Sequence, residues 1–472
     1  MIPRPRVAVL HATIAAAADR RLGRDDPPRG SLALLRDPVF GPFWVGKLLS
    51  SAGIWVHNVA AAILTYQLTR SALLVGAVSV AQFLPQLLFA PLSGAMADRG
   101  DPRRQLVLGR MITAAGSGGL TLALAVLGVD GLPGAWPIIT SAAVTGIGFV
   151  IGGPAMHSLL PTLVRRSELA TAVALNHLPP TIARSAGPML GAFLLVTAGP
   201  TVAFGFTFAT NLIYALVLLA LPLHRQRRAL SRREGSVRTG FRQLRTDPAV
   251  AFLLLAVLAL GFGADPVVTL TPALADALGH DEALVGTLAS GFGVGAAMVF
   301  PLLAMLRRRL GLTGLAGLGL AAVAAGMALA ALAPRAWVAV AGMVLAGTGF
   351  AFALTGLTTQ LYDRVPEELR GRIMAIWSMA FLGSRPIAAA VNGAIADLTS
   401  VGTALLTTAG LVVAVATVSI TGLRRHAGPD PASIRRRPRR CRPRAGCAGR
   451  PRPGVHGRDR AARAAGRRRP AP

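Results

Sequence analysis

The chain has 472 residues, of which 53% are hydrophobic and 15% are charged, with a mean hydropathy of +0.55. Ordinary soluble domains carry about 25% charged residues, so this composition excludes a typical water-soluble globule. The net charge of +29 comes from 49 basic and 20 acidic residues. A DNA-binding domain clusters its basic residues beside a soluble core, whereas long stretches of this chain carry almost no charge. We therefore predict no nucleic-acid partner.

About half of the basic excess lies in the C-terminal segment 424–472, which contains 17 arginines and two acidic residues. Both cysteines, Cys441 and Cys447, lie there at a spacing that matches neither a zinc site nor a redox pair, so we predict no metal site. The segment is too poor in apolar residues to fold by itself. We predict a disordered basic tail that either rests on anionic lipid headgroups or is an artefact of gene prediction.

Twelve apolar windows are each long enough to cross the hydrocarbon layer, which is ~30 Å thick and requires about 20 residues of helix. These predicted spans cover residues 43–66, 71–97, 105–128, 135–156, 172–198, 201–223, 249–275, 283–305, 312–333, 337–361, 373–396 and 402–423. The predicted fold is therefore an all-α integral membrane protein with twelve transmembrane helices.

Arginine and lysine are enriched in cytoplasmic loops, so their distribution predicts the orientation. The connections on one side of the twelve spans contain 19 basic residues, and those on the other side contain two, Arg70 and Arg335. We call these sides the arginine-rich end and the arginine-poor end. The pattern predicts a multi-pass protein of the cell inner membrane, with the arginine-rich end and both termini in the cytoplasm.

Two short patterns recur at the start of related spans. Asp37-Pro38 precedes span 1 and Asp247-Pro248 precedes span 7, and a Glu-Leu pair recurs at residues 168–169 and 368–369, before spans 5 and 11. Two related six-helix bundles explain both repeats, and transporters often bind substrate between such repeats. The predicted organisation is a cytoplasmic N-terminal segment, an N-terminal bundle, an arginine-rich linker, a C-terminal bundle and the basic tail, with the boundaries 1–42, 43–223, 224–248, 249–423 and 424–472.

The connection between spans 2 and 3 contains a glycine four residues before Asp-Arg, followed by a basic pair. The residues are Gly94, Asp98, Arg99, Arg103 and Arg104, with Asp101 where a second glycine is common. This connection resembles the cytoplasmic signature of the major facilitator superfamily, and the run 365–372 is similar to the enterobactin-exporter-like and drug-proton antiporter branch. The resemblance implies that the five residues form a gate that holds the cytoplasmic side shut in one state. Alternatively, the arginines only set the topology.

Span 5 contains a second pattern, formed by Arg184, Gly187, Pro188 and Gly191. It resembles the Gly-Pro signature of antiporters in the same superfamily, although alanines replace two of the usual glycines. Small residues also let transmembrane helices approach closely, so packing without a mechanistic role is an equal alternative.

Ionisable residues inside the membrane are costly and usually functional. We predict that Asp265 in span 7 carries the coupling proton, with His57 in span 1 as a secondary group. The alternative is that Asp265 is a permanent counter-ion of Arg184 or Arg385.

The resemblance implies a cavity lined by spans 1, 4, 7 and 10. Further cavity candidates are Asn58, Arg385, Gln82, Gln86, Asn211, Tyr214, Thr355, Thr358 and Asn392, whereas Trp44, Trp55 and Trp377 are interpreted as interface or packing residues.

Together these observations predict a secondary active transporter that exports a small organic molecule, such as a drug, siderophore or secondary metabolite, by alternating access. It would work as a monomer in membrane lipid, with the proton gradient as energy source and no cofactor; no phosphate-binding loop for ATP is present. The excess of arginine over aspartate favours substrates with an anionic or polyphenolic portion. The alternatives are an importer or facilitator on the same scaffold, or a polytopic membrane enzyme. We predict that the chain is not an enzyme, because a membrane enzyme would need clustered histidine, aspartate or glutamate ligands near one membrane face.

Overall fold

The computed structural model describes residues 29–221, 247–365 and 367–426, and the helices within these ranges form twelve spans, α1 to α12. The first four are Phe40–Thr69, Ala72–Arg99, Pro102–Leu127 and Trp136–Leu159. Helices α5 and α6 are the two parts of Leu169–Ala220, α7 comprises Pro248–Ala264, Pro266–Thr269 and Thr271–Ala277, and α8 begins with Glu282–Met298. Phe300–Ala331 completes α8 and forms α9, followed by α10 at Ala336–Arg364, α11 at Glu367–Leu398 and α12 at Val401–His426.

Two glycines divide the longest helices into separate spans. Gly199 has a φ of 82° and Gly311 a φ of 66°, a backbone region that glycine adopts without steric cost. Nine helices among the described residues are long and apolar enough to cross a membrane, and Leu169–Ala220 is one of them. The break at Gly199, the shorter apolar helix Glu282–Met298 and the more polar α11 bring the total to the twelve predicted spans.

The repeated Asp-Pro pair starts both bundles because aspartate satisfies free backbone N–H groups at a helix N-terminus. Asp37 Oδ1 accepts from the backbone N–H groups of Val39 and Phe40, at 2.9 and 3.1 Å. Asp247 Oδ1 accepts from the N–H of Ala249 at 3.0 Å, and its Oδ2 accepts from Arg364 at 3.1 Å. The repeat in the sequence therefore reflects the same local structure at the first span of each half.

The predicted two-bundle architecture is confirmed. In the first half α1 packs against α5 and α6, and α3 packs against α4; in the second half α9 packs against α10 and α12. The halves meet through α2 against α11 and through α5 against α8. Most of the N-terminal segment, nearly all of the predicted linker and most of the basic tail lie outside the described residues, so the predicted domain boundaries remain predictions.

An ion-pair cluster joins the start of α1 to the start of α5. Arg29 donates to both oxygens of Glu168, at 2.5 and 2.9 Å, and to Asp37 at 2.6 Å. The hydrogen bond from Arg29 lowers the pKa of Glu168 below its ordinary value, against an opposing effect of burial. Burial also opposes ionisation of Asp37, but the bonds from Arg29 and two backbone N–H groups outweigh it and lower the pKa of Asp37.

This cluster predicts a pH-dependent stability. Because folding lowers both pKa values, the cluster stabilises the protein above the unfolded pKa of a carboxyl, about 4, and loses that contribution as the pH falls through the folded values. Arg29→Gln is expected to lower the melting temperature at pH 7 by about 2–5 °C and to flatten its decline on acidification to pH 3. Differential scanning fluorimetry in detergent measures both effects. Arg104→Gln is the control, and a variant profile parallel to the parent's would contradict the prediction.

Candidate functional site

A cavity lies between the two halves, near the middle of the spans. It encloses ≈ 1030 Å³ of space between atoms, part of it open to solvent. Its walls come from α1, α2, α4 and α5 in the first half and from α7, α8, α10 and α11 in the second. Five of the predicted polar residues line it, namely Asn58, Gln82, Gln86, Arg184 and Arg385.

Arg184 and Arg385 place two positive charges in this cavity, each against aromatic rings. The Arg184 guanidinium lies 5.8 Å from the ring centre of Trp55 and 5.0 Å from that of Phe350. The Arg385 guanidinium lies 4.4 Å from the ring centre of Phe83. Trp55 therefore lines the cavity, which corrects its interpretation as an interface or packing residue.

Asp265 lies in α7 between two cavity-lining residues, Ala264 and Val267, and is itself only 1% exposed. Its Oδ1 accepts from the hydroxyl of Thr269 at 3.1 Å and its Oδ2 accepts from the amide of Asn392 at 3.4 Å. Within the described part of the chain, no arginine nitrogen lies within 4.0 Å of its carboxylate, so the permanent ion pair with Arg184 or Arg385 is not formed in this conformation. The carboxylate is thus held by neutral donors in the second half.

His57 does not lie beside Asp265. It is fully buried in the first half, with its ring 5.3 Å from that of Phe204 and its Nδ1 3.5 Å from the hydroxyl of Ser117. Its Nε2 has no hydrogen-bond partner among the described atoms. His57 therefore does not line the cavity in this conformation: α1 presents Asn58 to the cavity and His57 to α3 and α6.

Two further cavity candidates, Asn211 and Tyr214, are fully buried inside the first half and do not line the cavity. Asn211 Oδ1 accepts from Ser50 at 2.8 Å, and the Arg110 guanidinium donates to Ser50 at 2.9 Å and lies 6.0 Å from the ring centre of Tyr214. The side of α6 that carries these residues faces α1 and α3 rather than the other half.

Sequence reasoning missed Arg110 and Lys47 as buried charges. Arg110 is 3% exposed and Lys47 is 6% exposed; Lys47 donates to the side chain and the backbone oxygen of Asn176, at 2.6 and 2.8 Å. The sequence could have indicated both, since each is a basic residue several positions inside a predicted span.

The remaining polar candidates have other partners. Asn392 is fully buried, where it binds Asp265 and accepts from Thr408 at 2.8 Å. Thr355 and Thr358 are not among the residues that line the cavity. Trp44 donates to the backbone oxygen of Leu175 on α5 at 2.8 Å, and Trp377 stacks on Phe381 of its own helix at 5.3 Å between ring centres.

The predicted gating motif is only partly visible. The backbone of Gly94, Asp98 and Arg99 belongs to the end of α2, but the side chains of Asp98 and Arg99 are not described. Arg103 donates to the backbone oxygens of Leu218 and Leu219 at the end of α6. Arg104 is exposed and pairs with Asp101 at 3.6 Å. The bonds that Arg103 and Arg104 form with described residues therefore all lie within their own half.

The Gly-Pro pattern of α5 lies at contacts with two other helices. A side chain at Gly187 would meet Cβ of Trp55 at 2.6 Å, and one at Gly191 would meet the Cα of Val56 at 3.0 Å, both on α1. On α8, a side chain at Gly286 would meet the backbone oxygen of Pro188 at 3.1 Å. The small residues thus allow α5 to pack against its own half and against the opposite half.

Hydrogen bonds between the halves close the arginine-poor end. Asp397 at the end of α11 accepts from the backbone N–H groups of Ala72 and Leu73 at the start of α2, at 2.7 and 3.1 Å. Asp276 in α7 accepts from Arg70 at 2.8 Å, and a further bond joins Gln67 to Glu282 at 2.7 Å. Every donor lies in the first half and every acceptor in the second. These exposed polar bonds can break and form again when the halves move.

Twelve spans in two bundles around a shared central cavity define an integral membrane transporter of the major facilitator type. The chain belongs to the transmembrane secretion effector family of the major facilitator superfamily, whose family profile matches residues 29–438. It is therefore a multi-pass membrane protein related to transporters rather than to enzymes.

Relatives and solved structures agree with this family. The enterobactin exporter EntS of Shigella flexneri is 28% identical over 393 residues, covering 81% of this chain and 92% of the relative. EntS of Escherichia coli strain UTI89 is 28% identical over 400 residues, with the same coverage. The fold is similar to that of the D-xylose-proton symporter, with a TM-score of 0.64 and 15% identity over 81% of this chain and 97% of that one. A bacterial homologue of the iron transporter ferroportin, in an inward-facing state, has a TM-score of 0.64 and 16% identity over 82% and 98%.

Proposed function

We propose that this chain exports a small organic molecule across the bacterial inner membrane by alternating access, in exchange for entering protons. The observation that carries the proposal is the cavity lined by both halves and closed at the arginine-poor end by bonds between them. Midplane sites between repeats are typical of transporters that alternate between two openings. Export as the direction, and a siderophore as the class of cargo, are supported by the similarity to enterobactin exporters.

In this proposal the arginine-rich end and both termini are cytoplasmic, so the end that is closed by bonds between the halves faces the exterior. The protein acts as a monomer and uses the proton gradient without any cofactor. Asp265 is the proton carrier. Both residues that donate to this carboxylate lie at the interface of the halves. The hydroxyl of Thr269 is 3.4 Å from that of Ser79 on α2, and Asn392 precedes Gly393, which contacts the start of α2. Protonation of the carboxyl turns one acceptor into a donor and so changes bonds at this interface.

Reconstitution of the full chain in liposomes that contain a pH-sensitive dye tests this function. With enterobactin as the probe and an imposed proton gradient, we expect enterobactin and protons to move in opposite directions, and a protonophore to stop accumulation. Accumulation that persists after the gradient is collapsed would reject proton coupling. Movement of enterobactin and protons in the same direction would favour an importer, and the absence of any enterobactin movement would reject enterobactin as cargo.

A further inference from the structure

Neither of the two cavity arginines forms an ion pair in the described part of the chain, and the nearby carboxylate of Asp265 is one negative charge against two positive charges. None of the residues that line the cavity is acidic, and Asp265 is occupied by Thr269 and Asn392. No hydrogen bond or ion pair between either guanidinium and another described residue is formed, and the Nε of Arg385 is buried without a partner. Arg184 and Arg385 repel each other, and Asp265 attracts Arg385 without contacting it, so the two arginines and one carboxylate leave a net positive charge. Such uncompensated charge inside a membrane protein is costly unless a ligand neutralises it.

The rest of the cavity wall is aromatic. Besides Trp55 and Phe83, which lie against the arginines, Phe292 and Phe350 have ring centres 5.4 Å apart, and Phe350 and Phe381 have ring centres 6.0 Å apart. Aromatic walls favour flat, apolar ligands, which contact ring faces and edges over a large area. A planar guanidinium binds carboxylates, sulfonates and phosphates through paired N–H donors.

We propose that the cavity binds an aromatic organic anion, with the acidic group between Arg184 and Arg385 and the ring system against Phe350 and its neighbours. This inference rests on the proposed function, since it names the class of molecule that the transporter carries. The ligand supplies the negative charge that the cavity lacks, and the ring–guanidinium contacts keep both arginines in position before it binds. Neutral or cationic molecules of the same shape leave the two charges uncompensated.

Equilibrium dialysis of the full chain in nanodiscs tests the proposal without any gradient. The probes are naphthalene-2-sulfonate, its neutral analogue naphthalene-2-sulfonamide and a cationic analogue, 2-naphthyltrimethylammonium, each corrected with empty nanodiscs. We expect the sulfonate to bind about tenfold more tightly than the sulfonamide, with the cation weakest. Arg184→Gln and Arg385→Gln are each expected to weaken sulfonate binding by about tenfold and to leave sulfonamide binding unchanged.

The unchanged sulfonamide affinity shows that a variant has retained its fold, and Arg335→Gln, an exposed arginine at the arginine-poor end, is the matched control. Equal affinity for sulfonate and sulfonamide, stronger binding of the cation, unaltered sulfonate binding by both glutamine variants, or no sulfonate binding at all would each overturn the proposal. Anion binding without enterobactin or proton movement would contradict the proposed function alone. Coupled transport without a preference for the anion would contradict this inference alone.

Discussion

Asp265→Asn is expected to abolish the proton movement that accompanies transport, by more than about tenfold, while leaving the protein folded. Asparagine keeps the size of the side chain and an acceptor for Thr269, but it cannot bind and release a proton. The measurement is the change of internal pH in liposomes when enterobactin is added to the outside. Exchange of labelled for unlabelled enterobactin, which requires no net proton flow, is expected to persist in the variant.

The matched control is Asp363→Asn, which removes a carboxylate that is exposed at the arginine-rich end of α10. This variant is expected to retain normal coupling. If Asp265→Asn also retained normal coupling, Asp265 would not carry the proton. A loss of both proton movement and exchange would instead show that the carboxylate is needed to hold α7 and α11 together.

Gly393→Leu is expected to prevent closure of the arginine-poor end and to reduce transport by more than about tenfold. A side chain at Gly393 would lie 2.6 Å from the backbone oxygen of Ala72 and 2.8 Å from the Cα of Leu73. These are backbone atoms at the start of α2, which cannot move aside without separating the halves. The contact lies between the bundles and not inside either one, so we expect each bundle to remain intact.

Ser79 lies on α2, faces Thr269 of α7 and is 3% exposed. The variant Ser79→Cys therefore places a thiol that a reagent can reach when this end is open. In a chain with Cys441 and Cys447 replaced by serine, maleimide labelling of this cysteine is expected to accelerate about tenfold when Gly393→Leu is added. Gly119→Leu is the control, because a side chain at Gly119 meets nothing within 4 Å. Slow labelling in the presence of Gly393→Leu would show that the halves accommodate the larger residue.

The bonds at the closed end explain how a large conformational change can have a small energetic cost. Asp276, Asp397 and Glu282 accept hydrogen bonds at an exposed surface, where water replaces the lost partners when the halves separate. The close helix contact at Gly393 lies next to them and gives the closed state its geometry. Closure thus combines a tight fit of backbones with polar bonds that exchange readily with water.

Span number, span boundaries and the two-bundle organisation were accessible from the sequence, because the membrane requires about 20 apolar residues for each crossing. The predicted boundaries of α1, α4 and α12 differ from the structure by at most three residues. The Asp-Pro repeat was also informative, since in each half its aspartate accepts from backbone N–H groups at the start of the first span. Among the site residues, Arg184 and Arg385 were expected to face a cavity, because an arginine deep inside a span requires a polar environment, and both line the cavity in the structure.

The position of each polar side chain around its helix was decided by the tertiary structure alone. Asn58 and His57 are neighbours with similar polarity, yet one faces the cavity and the other faces α3 and α6. In a membrane helix the lipid side and the packed side are both apolar, so the hydrophobic pattern that orients a helix in water gives little information. The packing of α1 against α5 and α6 decides which of its side chains face the cavity. The contact between the halves brings Arg184 and Arg385 into the same cavity.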